Sequence, residues 1–288
     1  MPIPDYPRPP FKPQQQPFPG KSARTDPVPD IGKDSYVGHG LLEGKRALIT
    51  GGDSGIGAAV AIAFAREGAS VAIAHLPEEQ DDAVDILAQI KAAGVQGHSF
   101  PCDLRDPAQI QTLAAGVLEA FGGLDVLVNN AAYQRYFQSF DEITLDEWTR
   151  TFATNVHAPF YLIKQLVPHL QPGASIINTA SVNAKDPTPS ILPYSTTKGA
   201  VANMTLGLAS LLAERGIRVN AVLPGPIWTP FIPAGMAEEK VKTFGSQTPF
   251  GRPGQPAELA SAYVMLAADT ASYTSGALIT IAGAQAVL

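Results

Sequence analysis

Tyr194-Ser195-Thr196-Thr197-Lys198 sets a phenol and an ammonium four residues apart. On a helix this spacing puts both groups on one face. A cation beside a phenol favours the phenolate and pulls down a pKa that is about 10 in isolation. A tyrosine so placed can give or take a proton during a reaction. Chance also produces the pair, as a packing tyrosine and a solvated lysine, so the reading depends on its company. Ser181 closes an apolar strand thirteen positions before Tyr194, Asn155 sits inside a long helical stretch, and Asn129-Asn130-Ala131-Ala132 ends another strand. Each has a plain structural use as well: a cap, a surface polar group, a strand-end turn. Strand C-terminal ends, however, are where open α/β sheets bind ligands.

Upstream lies Thr50-Gly51-Gly52-Asp53-Ser54-Gly55-Ile56-Gly57, between an apolar strand and a helical pattern. Glycines there allow a tight turn and close backbone approach, and a helix N-terminus favours a pyrophosphate. The spacing is TGxxxGxG and not the GxGxxG fingerprint. The loop makes Gly51, Asp53, Ser54, Gly55, Ile56 and Gly57 candidate cofactor contacts. The adenosine end would lie at the end of the second strand, Ala74-His75-Leu76, where a 2′-phosphate needs a cation and ribose hydroxyls need an acid. His75 stands there without a lysine or arginine beside it, and Asp53, Glu78, Glu79, Asp81 and Asp82 lie nearby. This charge favours NAD(H), while hydroxyl and backbone groups, Ser54 among them, leave NADP(H) open. Asp103 follows the third strand and is a candidate acceptor for the adenine amino group, or a helix cap.

These residues need a frame, and the chain supplies one. Apolar strands are expected at 46–50, 70–75, 95–100, 124–128, 174–178, 218–222 and 278–281. Helical patterns at 55–67, 80–93, 107–121, 145–169, 194–213 and 256–268 fall between them. Continuous apolar strands alternating with helices imply an α/β domain, doubly wound, with a parallel sheet of about seven strands covered on both faces. With 45% hydrophobic and 16% charged residues, the 288-residue chain can fill one large core. The net charge of −6 argues against nucleic-acid partners. Cys102 is the only cysteine, so no intrachain disulfide forms, in keeping with a reducing compartment. No signal-peptide pattern opens the chain, and the apolar stretch 199–213 is too short and interrupted to span a bilayer. A cytoplasmic protein without membrane partners is therefore expected, and no metal ligands are assigned. Residues 1–40 stand apart: Pro2, Pro4, Pro7, Pro9, Pro10, Pro13, Pro17 and Pro19 exclude a helix or central strand. They read as a disordered tail, or as an extended arm anchored on the body or a neighbouring subunit by Phe11, Phe18 and Tyr36, with 41–288 as the catalytic domain.

Taken in order, TGGDSGIG, Asp103-Leu104, NNAA, Asn155, Ser181, YSTTK and Arg218-Val219-Asn220-Ala221-Val222-Leu223-Pro224-Gly225 resemble the motifs of the short-chain dehydrogenase/reductase family, from Gly44 to the C-terminus. The arm and Leu76-Pro77-Glu78-Glu79 resemble its bacterial general stress oxidoreductases and aldehyde reductases. The resemblance implies a Rossmann-type fold and NAD(P)-dependent interconversion of a carbonyl and an alcohol. It implies Tyr194 as acid/base and Lys198 as the group that biases it and holds the nicotinamide ribose. Ser181 would bond the substrate oxygen, and Asn155 would support a water linking Lys198 to solvent. Leu104, Asn130 and Ala131 would line the cofactor, and Pro224, Gly225, Ile227 and Thr229 its carboxamide end. It implies a homotetramer packed through the helices holding Asn155 and Tyr194. Two positions depart from the pattern: Ile281-Ala282-Gly283-Ala284 replaces a common Val-Asp-Gly-Gly, and Ala132 replaces a glycine.

The small-molecule substrate should be bounded by 133–136, 183–192 and a lid over 228–250, where Trp228, Phe231, Ile232, Met236 and Phe244 favour an uncharged aldehyde, ketone or secondary alcohol. Arg135 would instead suit an acid. Two rival readings are a dinucleotide-binding sensor without catalysis and a sugar-nucleotide epimerase. The full Asn, Ser, Tyr and Lys set disfavours the first; the glycine spacing and the lack of a larger C-terminal domain disfavour the second.

Overall fold

A computed structural model describes residues 5–285. Pro2 and Pro4 of the proline-rich segment lie outside the described residues. The strands are β1 (Arg46–Thr50), β2 (Ser70–His75), β3 (Gly97–Pro101), β4 (Val126–Asn129), β5 (Ser175–Thr179), β6 (Arg218–Pro224) and β7 (Leu278–Ile281). They form one parallel sheet in the order β3-β2-β1-β4-β5-β6-β7. The order reverses between β1 and β4, which opens a crevice beyond the carboxyl ends of those strands. Nine α-helices are described: α1 (Gly55–Arg66), α2 (Gln80–Ala92), α3 (Pro107–Phe121), α4 (Leu145–Phe152), α5 (Ala158–Leu166), α6 (Leu192–Leu212), α7 (Phe231–Gly235), α8 (Glu238–Lys242) and α9 (Ala257–Ala267).

The pleat of β1 shows why the sheet needs cover on both sides. Ala47 and Ile49 enter the core made with α1, α2 and α9, while Leu48 enters the one made with α3, α5 and α6. Adjacent residues of a strand point to opposite faces, so two apolar faces demand two helix layers. α1 is buried almost throughout because alanines at 58, 59, 61, 63 and 65 let it lie close to the sheet. α3 starts on an Asp106 cap and stops at Gly122, whose φ of 69° is the left-handed conformation glycine adopts without a Cβ penalty.

The helix expected over 145–169 is not a single α-helix. α4 and α5 are separated by a π-helical turn, Ala153–His157, and the run ends in a 3-10 turn at Val167–His169. A π-turn carries an extra residue per turn, and such turns cluster at functional sites. Asn155 lies inside this one.

Residues 5–45 run over the body. Phe11 is buried and stacks on Trp228 with ring centroids 4.2 Å apart. Phe18 meets Tyr133 edge-on at 4.9 Å, and the Arg150 guanidinium lies over both rings. Tyr36 donates its hydroxyl to the buried Glu67 carboxylate, which also accepts the His39 and Leu41 N–H groups. Among the described residues, no helix is long and apolar enough to cross a membrane.

Candidate active site

A cleft of about 400 Å³ opens at the carboxyl ends of β1, β2, β4 and β5. Its floor is the glycine loop. Gly51 (φ 61°) and Gly55 (φ 51°) both take left-handed backbone, and a Cβ on Gly51 would come within 3.0 Å of Ala131. Asn130 holds the loop by donating its side-chain N–H groups to the Thr50 and Gly51 carbonyls, both at 3.1 Å. The Thr50 hydroxyl in turn accepts the N–H of Asn130 and of Ala131. Gly57 does not line the cleft: it packs beneath the loop, where a Cβ would lie 1.8 Å from the Gly51 carbonyl oxygen. It shapes the turn from below rather than touching what the turn holds.

At the end of β2 the wall is made of Asp53, His75 and Glu79. Asp53 is 2% exposed, and neither of its carboxylate oxygens has a hydrogen-bond partner among the described residues. Burial, and then the neighbouring Glu79 charge, raise its pKa well above the usual carboxylate range. Burial also pushes Glu79 up to about 7, against the Leu76 N–H that it accepts. The His75 Nδ1 faces the Leu76 carbonyl at 2.8 Å, and its buried Nε2 lacks a partner among the described residues. Asp103 is already engaged by Arg105 through a salt bridge, and that bond holds its carboxyl below the usual range. Asp103, Leu104, Ala131, Pro224, Gly225, Ile227 and Thr229 all line the cleft. Gly225 is required by contact with the residue that follows β7, because a Cβ would come within 2.8 Å of Ala282.

The chemistry-bearing end lies between β5 and α6. Lys198 is 2% exposed, and its Nζ donates to the Thr179 carbonyl at 2.6 Å. Burial lowers its pKa to about 7. The same Nζ lies 5.3 Å from the centroid of the Tyr194 ring. Tyr194 is partly open to the cleft, yet deep enough that desolvation pushes its phenol up to about 12, against a hydrogen bond with Ser181. This reverses the expected shift. The lysine sits where a helix face should put it, but a phenol removed from water loses more than this lysine, itself desolvated, returns. The Ser181 hydroxyl accepts from the Asn183 backbone and side-chain N–H groups, at 3.1 and 3.3 Å, which leaves its proton to donate towards the cleft.

Asn155 is fully buried behind this site. Its Oδ1 accepts the Tyr133 N–H at 2.7 Å, and its Nδ2 donates to the Tyr133 carbonyl and to the Thr197 hydroxyl. Both of its donors are therefore spent on protein, which ties the β4 loop to α6 one residue before Lys198. Spacing alone did not reveal these roles of Thr50, Thr179, Thr197 and Tyr133, because each acts through a contact made only when distant segments meet. Trp228, assigned to the lid, belongs to the core with Phe11, Ile232 and Val241. Phe231, Ile232, Met236 and Phe244 do line the cleft. Arg135 pairs with Glu147 at 3.0 Å and is not among the groups lining this cleft. Phe18, Pro19 and Gly20 of the N-terminal segment, which sequence reasoning left out of the site, are.

The chain is similar to known proteins over most of its length. Residues 51–283 match the family model described as "Enoyl-(Acyl carrier protein) reductase". The chain is 46% identical over 273 residues to the uncharacterized oxidoreductase YghA of Escherichia coli, covering 94% of this chain and 93% of the relative. It is 44% identical to NADPH-dependent aldehyde reductase 1, chloroplastic, of Arabidopsis thaliana, over 93% of this chain and 95% of that one. A short chain dehydrogenase from Burkholderia cenocepacia, solved in complex with NADP, superposes with a TM-score of 0.79 at 35% identity, covering 84% of this chain and 98% of the neighbour. With the motifs in order, the doubly wound sheet and these relatives, the chain belongs to the short-chain dehydrogenase/reductase family of oxidoreductases.

Proposed function

We propose that the protein interconverts an aldehyde or ketone with its alcohol, using a nicotinamide dinucleotide and Tyr194 as acid/base. The observation that carries this reading is the Ser181–Tyr194–Lys198 arrangement at the cleft's inner end, next to the glycine loop. A phenol near 12 stays protonated at neutral pH, as a donor to a developing alkoxide must. Ser181 offers its proton to the same oxygen. Lys198, with a pKa near 7, can restore the Tyr194 proton around neutrality. The dinucleotide would lie over Gly51, Ser54, Gly55 and Ile56, along Asn130 and Ala131, with Pro224, Gly225, Ile227 and Thr229 at its nicotinamide end. It supplies or takes the hydride. Phe231, Ile232, Met236 and Phe244 give the substrate side an apolar wall, which suits an uncharged carbonyl compound.

Two readings of cofactor choice have support. Asp53 and His75 present buried polar atoms without partners among the described residues, and ribose 2′- and 3′-hydroxyls, which both donate and accept, would satisfy them. This favours NAD(H). NADP(H) is favoured by the names of the Arabidopsis and Burkholderia proteins and by the raised pKa values of Asp53 and Glu79, since a protonated acid does not repel a 2′-phosphate. Initial rates with NADH and NADPH against a panel of aldehydes and ketones test both levels. Turnover of an uncharged carbonyl with NADH at least tenfold faster supports the first reading, and the opposite ratio the second. No turnover with either cofactor contradicts the proposed reaction. We further propose a homotetramer in the cytoplasm: Trp148, Phe160, Tyr161 and Leu206 on α4, α5 and α6 are each more than a third exposed and would be covered by a second copy. The lone Cys102, buried with its thiol pushed up to about 11, suits a reducing compartment.

A further inference from the structure

The N-terminal segment crosses the mouth of the cleft. On one side it is tied to the lid: the Phe11 N–H donates to the Lys242 carbonyl, the Gln16 N–H to the Pro233 carbonyl, and Phe11 is buried on Trp228. On the other side it reaches the start of α2, where the Ser22 N–H donates to the Asp82 carboxylate at 3.0 Å and Lys21 Nζ lies 3.6 Å from Asp81. Between these anchors, Phe18, Pro19 and Gly20 form part of the cleft wall. Gly20 lies so close to the lid that a Cβ would come within 2.3 Å of the Pro230 carbonyl oxygen. The buried Gln16 side chain bridges the Lys21 N–H and the Thr25 hydroxyl, so the crossing residues form a closed, self-bonded loop rather than a trailing thread.

The two anchors differ in strength. The lid side is a buried aromatic stack with backbone bonds; the α2 side is one charge-assisted hydrogen bond and one exposed ion pair. They also stand at the two ends of the dinucleotide cleft proposed above: Pro230 follows Thr229, and Asp81 and Asp82 follow Glu79 beside the end of β2. We propose that residues 16–22 are a cofactor-binding strap, which Phe18, Pro19 and Gly20 lay across the dinucleotide so that its release requires the α2 anchor to open. This rests on the dinucleotide reading of the cleft.

Two substitutions lift the strap without changing its charge. Ser22→Pro removes the N–H donated to Asp82 at the first position of a 3-10 turn, where proline is tolerated. Gly20→Ala drives the strap away from the Pro230 carbonyl. Lys12→Ala, which breaks an exposed pair with Asp26 away from the cleft, is the control. In the full-length chain, displacement of bound NADH or NADPH is followed by stopped-flow fluorescence, with circular dichroism as the check on folding. Release is expected to be roughly tenfold faster in folded Ser22→Pro, the size of one lost charge-assisted hydrogen bond, faster than wild type in folded Gly20→Ala, and unchanged in the control. Wild-type release rates in both folded strap variants overturn the strap. Failure of the unaltered chain to bind either dinucleotide instead overturns the cofactor reading on which it stands.

Discussion

Tyr194 and Lys198 stand four apart in the sequence and line one cleft, so their convergence was legible from spacing, but their electrostatics were not. Spacing predicts a lowered phenol; burial gives a phenol near 12 and a lysine near 7. The difference arises because a sequence names charges without saying how much water surrounds them. It fixes a direction for pH dependence. Lys198 is protonated below about 7 and loses that proton above it, so reductive turnover should fall as pH rises through this region, while alcohol oxidation should rise. A pH–rate profile in each direction checks this; parallel profiles would contradict it. Asn155 shows a second limit of reading by type. Its amide serves Tyr133 and Thr197, and truncation leaves the buried Tyr133 N–H and carbonyl without a partner, while the Thr197 hydroxyl keeps its bond to the Tyr194 carbonyl. At about 1–3 kcal/mol for a buried unsatisfied group, and roughly 2–4 °C per kcal/mol in a chain of this size, Asn155→Ala should lower the melting temperature by at least 5 °C in calorimetry.

At the scale of elements, all seven strands and the major helices follow from apolar runs and helical patterns, because burial on both faces leaves a plain hydrophobic signature. The π-turn around Asn155 does not, since an extra residue within a helix changes hydrogen bonding and leaves no compositional trace. The expected strand at 95–100 appears at Gly97–Pro101, and the one at 124–128 at Val126–Asn129, shifted towards the crevice. The end of β7 carries the departure noted in the sequence, and Ala284 there takes φ 66°, the one positive φ at a non-glycine position among the described residues. A left-handed alanine costs about 1–2 kcal/mol, partly offset by the extra chain entropy a glycine would lose on folding. Ala284→Gly should therefore stabilise the protein modestly, by up to about 1 kcal/mol, seen as an upward shift in a denaturation midpoint. A lower midpoint would show that the turn is held for another reason.

For the whole molecule, the proline-rich segment was the least legible part. Its composition excludes helix and central strand but fits a tail and an arm equally, and the distinction lies in two aromatic contacts and a few long-range hydrogen bonds, that of the Tyr36 hydroxyl among them. Assembly is tested by sedimentation: the proposed homotetramer, which would cover the exposed aromatic residues of α4 and α5, should run as a tetramer at working concentration, and a monomer would contradict it. The central claim is narrower and is tested at one atom. Tyr194→Phe removes the phenolic oxygen and little else. Steady-state turnover of the best carbonyl substrate, measured beside cofactor binding by fluorescence titration, should fall by roughly 10²–10⁴-fold, the usual worth of a positioned acid/base, with cofactor affinity within a few-fold of wild type. A Phe variant that turns over at the wild-type rate would show that the proton comes from elsewhere.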